Sequence, residues 1–153
     1  RVDAEMEEVN LNVLIKDIIE AAAFPANVHI QINSPLPTMK LAKYPIIQVF
    51  SNLISNAVKH NDKEQIEIDI ACVEQADDWL FYIKDNGPGI EEQFHEKVFH
   101  IFQTLKTKDE TNSTGIGLSV VRKIIDSIGG KIWIESKPGK GCTFFFTLKK
   151  QLK

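Results

Sequence analysis

Three short stretches hold residues whose types and spacing can do chemistry. In YPIIQVFSNLISNAVKH (44–60), Gln48, Asn52, Asn56 and Lys59 recur at i, i+4, i+8 and i+11 and share one stripe of a helix. A carboxamide oxygen can ligate a hard cation such as Mg²⁺, and a lysine ammonium can meet a phosphate. The same stripe would equally serve as an ordinary solvated helix face. In Asp85-Asn86-Gly87-Pro88-Gly89-Ile90, a carboxylate ends a strand-like run. Ionised, Asp85 only accepts hydrogen bonds, which suits an exocyclic amine such as that of adenine. Asn-Gly and Pro-Gly also favour a plain tight turn. In Thr114-Gly115-Ile116-Gly117-Leu118-Ser119, glycines open a helix, where backbone N–H groups and a partial positive charge favour an anion. No Gly-Lys-Ser/Thr follows and position 120 is Val, so neither common nucleotide loop is present.

Hydrophobic periodicity supplies the elements that must hold these stretches in place. Leu11, Leu14, Ile15, Ile18 and Ile19 fall at helical spacing within 11–23, and Phe24-Pro25 ends that run. Alternation in VHIQI (28–32) predicts a strand closed by Asn33-Ser34-Pro35. The helix over 44–60 takes Pro45 in its first turn. It puts Ile47, Phe50, Ile54 and Ala57 on a stripe that packs on a sheet, with the polar stripe opposite. IEIDIACV (66–73) and WLFYIKD (79–85) form a hairpin pattern around a polar turn. GIGLSVVRKIIDSIGG (115–130) reads as a helix stopped by Gly129-Gly130, and KIWIES, KPGKG and CTFFFTL as a final hairpin. The order is helix, strand, helix, two strands, glycine-bounded loop, helix, two strands. It predicts a single domain over 1–153 with a two-layer α/β sandwich, a sheet covered on one face by helices.

Composition narrows the functional classes. A chain of 153 residues suits one domain that buries roughly 70% of its extended-chain surface. With 43% apolar and 25% charged residues, disorder is a poor description. Eighteen Lys+Arg against 21 Asp+Glu leave a net charge of −3 and no reason to expect a nucleic-acid partner. The longest apolar run, Trp79 to Ile83, falls far short of the roughly 20 residues of a bilayer span. The acidic start RVDAEMEEVN is unlike a secretory signal. Cys72 and Cys142 lack metal-type spacing, so buried free thiols in a reducing, cytoplasmic setting are expected. A first residue of Arg rather than Met is what a piece excised from a longer protein would show.

Taken together and in order, NLISNAVKH, DNGPGI and TGIGLS resemble the ATP-binding domain shared by sensor histidine kinases and by gyrase-type and Hsp90-type ATPases. KVFHIFQTL resembles the phenylalanine-bearing segment before the nucleotide lid of the histidine kinases, and GGKIWIESKPGKGCTFFFTL resembles their closing hairpin. The resemblance runs from about Val9 to Leu148. It implies the Bergerat-type fold, a mixed sheet under helices, with ATP between the Asn-bearing helix and a lid. It assigns Mg²⁺ to Asn56, with Asn52 one turn earlier beside the same site, and phosphate contact to Lys59. It assigns the adenine amine to Asp85, with Gly87, Gly89 and Ile90 running close to the nucleotide. Thr114, Gly115, Ile116, Gly117 and Leu118 match the lid hinge and phosphate approach, and Thr143 matches a hydroxyl near the adenine. Phe99 and Phe102 match aromatics that anchor the lid, a place where plain core packing serves as well. Two positions depart from the pattern: His60 stands where Tyr or Phe is usual beside the base, and Ser113 where Gly is common.

Position 52 separates the branches of this family. The hydrolysing members carry a Glu one turn before the Mg²⁺-binding Asn, and Asn52 cannot act as a general base. Transfer to an imidazole needs no such base, because a neutral ring nitrogen has a free lone pair. The resemblance therefore implies a protein-histidine kinase domain, monomeric in isolation. Its partners would be a separate dimerisation and phosphoacceptor domain and, later, a response regulator. His95-Glu96 imitates only the first two residues of the acceptor motif, with no proline before Pro138, so the acceptor is expected elsewhere. A serine kinase of the same family and a nucleotide-binding regulatory module are the alternatives.

Overall fold

Among the described residues, apolar side chains in five segments build one sheet, and three amphipathic helices bury their apolar stripes on one face of it. The structure, a computed structural model, describes residues 5–100 and 117–150. The elements are β1 (Met6–Asn10), α1 (Leu11–Ala22), β2 (Val28–Ile32), β3 (Thr38–Ala42), α2 (Lys43–Lys59), β4 (Ile66–Glu74), β5 (Asp78–Asp85), α3 (Gly117–Ser127), β6 (Ile132–Ser136) and β7 (Cys142–Lys149). Two 3-10 turns, Glu92–Phe94 and Lys97–Phe99, follow β5. The main sheet runs in the order β2-β4-β5-β7-β6. Its β2–β4 pair is parallel and the rest antiparallel, so the sheet is mixed, as expected. Parallel pairing needs a long crossover, and α2 supplies it.

Phe50 of α2 and Phe81 and Phe146 of the sheet form the centre of the core, all fully buried. Phe50 meets both sheet rings edge-on at 5.8 and 5.3 Å, while Phe81 and Phe146 stack at 5.3 Å. Cys72 and Cys142 are buried free thiols. Among the described residues no helix is long and apolar enough to cross a membrane.

Two differences from the periodicity reading bear on the site. β1 and β3 were not anticipated; they pair only with each other, Met6 opposite Ala42 through Asn10 opposite Thr38, as a separate two-stranded sheet. Asn10, at the end of β1, caps α1 by accepting from the amides of Asn12 and Val13 at 3.0 and 3.3 Å. The second difference is the rotation of α2. Its buried residues are Ile46, Val49, Phe50, Leu53, Ile54 and Ala57, with Ile47 only half-buried. α2 packs against both α1 and α3, and Asn52 of its polar stripe lies beside Gly117 of α3 rather than opposite the core.

Candidate functional site

Asp85 is the last residue of β5, and strand alternation turns it to the same face as Phe81 and Ile83, under the helices. It is only 9% exposed, and its Oδ1 accepts from the Gly87 amide at 2.8 Å. Burial pushes its pKa above the usual carboxylate value, while the Gly87 and Cys142 amides and the Lys63 charge pull it back. A buried carboxylate with a shifted pKa at a strand end is a functional signal as well as a stability cost.

The loop after Asp85 is held on two sides. Ser136 Oγ accepts from the Ile90 amide at 2.7 Å and donates to the Gly141 carbonyl at 2.7 Å, tying Ile90 back to β6. Gly89 has φ +81°, and a Cβ there would strike the Lys137 carbonyl; its smallness serves the β6–β7 turn. Gly87 is pressed differently, since a Cβ there would lie 3.0 Å from Asp85 Oδ1 and 3.5 Å from the His60 carbonyl. The C-terminal end of α2 therefore abuts the Asp85 loop. On its other side the loop is fixed by Asn86, which sequence reasoning passed over as a turn residue.

Along α2, Asn52 and Asn56 are half-buried, whereas Gln48 and Lys59 are exposed. His60 caps the helix, its amide donating to the Asn56 carbonyl at 3.1 Å. Gly117 opens α3, and a Cβ on it would lie 3.7 Å from Asn52 Oδ1. The fold thus sets the asparagine flank against the helix that carries Gly117 and the half-buried Leu118. Phe102, Ser113, Thr114, Gly115 and Ile116 lie outside the described residues.

One expected site residue faces the wrong way. Cys142 is the register partner of Asp85, and Thr143 pairs with Lys84 and Glu135. Side chains alternate, so Thr143 points to the helix-free face of the sheet and supplies no hydroxyl beside Asp85. Cys142 occupies that place. Burial, with the Asp85 charge, pushes its thiol up to about 12.

The segment before residue 101 is anchored. Phe99 is buried and meets Phe144 edge-on at 6.0 Å. His95 donates from Nε2 to the Ile90 carbonyl at 2.9 Å, and Glu96 pairs with Arg122, so neither stands on a helix as an acceptor motif would require. Among the described residues no group of three His, Cys, Asp or Glu could hold a metal ion. What the site does offer is two half-buried carboxamides on one helix flank, hard oxygen donors that suit Mg²⁺ when a ligand's phosphates complete its coordination.

Residues 43–152 match the family described as histidine kinase-, DNA gyrase B- and HSP90-like ATPases. Over 116 residues the chain is 45% identical to cyanobacterial phytochrome A of Nostoc sp., an overlap of 76% of this chain and 15% of that protein. It is 37% identical over 150 residues to the adaptive-response sensory kinase SasA of Prochlorococcus marinus, covering 93% of this chain and 39% of that protein. Among solved structures, the catalytic domain of histidine kinase ThkA superposes with a TM-score of 0.78 at 33% identity, covering 95% of this chain and 96% of that one.

Proposed function

This chain belongs to the family of histidine kinase-, DNA gyrase B- and HSP90-like ATPases, and from that premise we propose that it is the ATP-binding catalytic domain of a two-component sensor histidine kinase. The observation that carries this reading is the buried Asp85 at one end of a site whose other side is the Asn52–Asn56 flank of α2, set against Gly117. In this reading Asp85 accepts from the adenine amine, and the phosphates run along α2 toward α3, whose N-terminal dipole favours them. Asn56 would hold Mg²⁺ with Asn52 beside it, and Lys59 would add a positive charge at the phosphates. Mg²⁺, when bound, neutralises phosphate charge and lowers the cost of charge migration to the leaving group.

The protein's share of phosphoryl transfer is positioning and charge neutralisation. A neutral imidazole nitrogen, on a separate dimerisation domain, attacks the γ-phosphorus; the N–P bond forms, the bond to the bridging oxygen breaks, and ADP leaves. Asn52 offers no general base, which disfavours attack by water. The phosphoryl group would pass next to an aspartate of a response regulator, in the cytoplasm. Incubation of the chain with labelled ATP, Mg²⁺ and the phosphoacceptor domain in trans tests the assignment. Acid-labile, alkali-stable label on the acceptor is expected; acid-stable label would identify a serine kinase instead.

A further inference from the structure

Asn86 reads in the sequence as a turn residue and Asn61 carries no signal there, yet their carboxamides join the two ends of the site. Asn61 follows His60 directly after α2, and its Nδ2 donates to Asn86 Oδ1 at 2.9 Å. Its own Oδ1 accepts from the Lys63 amide at 2.9 Å, so the Asn61 side chain is braced against its own turn. Asn86 follows Asp85. Its Oδ1 also accepts from the Glu67 amide at 3.0 Å, and its Nδ2 donates to the Gln65 carbonyl at 3.0 Å. Three of the hydrogen bonds an asparagine side chain can make are thus formed at one point.

Gly87 completes the arrangement. A Cβ there would be tight against Asp85 Oδ1 at 3.0 Å and in ordinary contact with Asn61 Nδ2 at 3.5 Å, so Gly87 lies between the carboxylate and the Asn61 amide. The Gly87 amide, held in this gap, donates to Asp85 Oδ1 at 2.8 Å.

We propose that Asn61 and Asn86 are positioning residues: their side-chain hydrogen bond is a strut across Gly87 that fixes the spacing between the Asp85 carboxylate and the asparagine-bearing helix. This rests on the nucleotide reading above and adds to it. A ligand that touches only Asp85 is indifferent to that spacing. A nucleotide spanning both ends reads it directly, because its second contact is intramolecular and depends on geometry. A strut therefore differs from a merely structural hydrogen bond in what its loss does to whole and partial ligands.

The test compares ATP with adenosine, each titrated against the 153-residue chain with Mg²⁺ and followed by amide chemical shifts. Asn61→Ala is expected to weaken ATP by about fivefold or more while changing adenosine by less than about twofold. Asn86→Ala should weaken both, and the double variant should lose no more ATP affinity than Asn86→Ala alone. Thermal melts of each free variant confirm that folded protein is being titrated. Unchanged ATP affinity in Asn61→Ala, or equal losses for ATP and adenosine, would overturn the strut while leaving the nucleotide reading intact. Wild-type chain that binds neither ligand would overturn both.

Discussion

Arg122 holds its guanidinium 4.5 Å from the centre of the Phe99 ring. The same group donates from Nη1 to Glu96 at 2.8 Å. Arg122 stands on α3 and Phe99 ends the second 3-10 turn, so the contact clasps the helix after residue 116 to the segment before residue 101. Phe99 in turn packs on Phe144, which ties the clasp to the main sheet.

Replacing Arg122 by Ala should lower unfolding free energy by about 1–2 kcal/mol, from a cation–π contact and a partly exposed ion pair. Glu96→Gln should cost less, about 0.5 kcal/mol or under, because Glu96 is largely exposed and screened. Urea denaturation of both variants decides it; equal losses would mean that the stacking contributes nothing. The pH sign follows from Glu96, which Arg122 holds below the usual carboxylate range. Its small stabilisation is present at neutral pH and is lost as pH falls through that lowered value.

Asp85→Asn should separate stability from binding. Burial raises the Asp85 pKa, so its ionised form opposes folding as pH rises through the folded-state value. The variant is expected to be more stable than wild type at neutral pH. The difference should shrink below the usual aspartate pKa, where both side chains are neutral. Thermal melts across pH measure this, and a variant less stable at every pH would contradict the account.

Much of this was legible in the sequence, and what was not has physical causes. Alternation marks β2 and β4, and a continuous apolar run marks β5, each within a residue or so of its bounds, because both the pattern and the burial are local to each strand. β1 and β3 escaped because Val9, Met39 and Leu41 are their only buried side chains, and their partners lie 28 to 36 residues apart in the chain. The Cys142–Thr143 exchange shows the limit of motif matching at a strand: a one-residue offset moves a side chain to the other face of the sheet. Asn86 was hidden for a different reason, since its partners Asn61, Gln65 and Glu67 lie in another loop and strand start.

The register difference yields its own prediction. Thr143→Val should leave the affinity for an ATP analogue within about twofold, whereas Cys142→Leu should weaken it by about tenfold, or 1.4 kcal/mol, by crowding Asp85. Native protein should react slowly with a thiol reagent at pH 8, because the Cys142 thiol at about 12 stays protonated and buried and the Cys72 thiol is also raised. Both thiols should react once urea unfolds the chain.

Asn56→Ala should remove the gain in nucleotide affinity that Mg²⁺ confers, while leaving affinity without Mg²⁺ within about twofold. Titrations with Mg²⁺ and with a chelator give the comparison directly. A variant that keeps the full Mg²⁺ effect would move the metal away from Asn56.

The central claim is a nucleotide site built on Asp85, and isothermal titration with a non-hydrolysable ATP analogue tests it most directly. Wild-type chain should bind in the range of about 1–100 μM with Mg²⁺, and Asp85→Asn should weaken binding by about tenfold or more, at least roughly 1.4 kcal/mol. No heat and no competition with a fluorescent nucleotide at millimolar concentration would contradict the account.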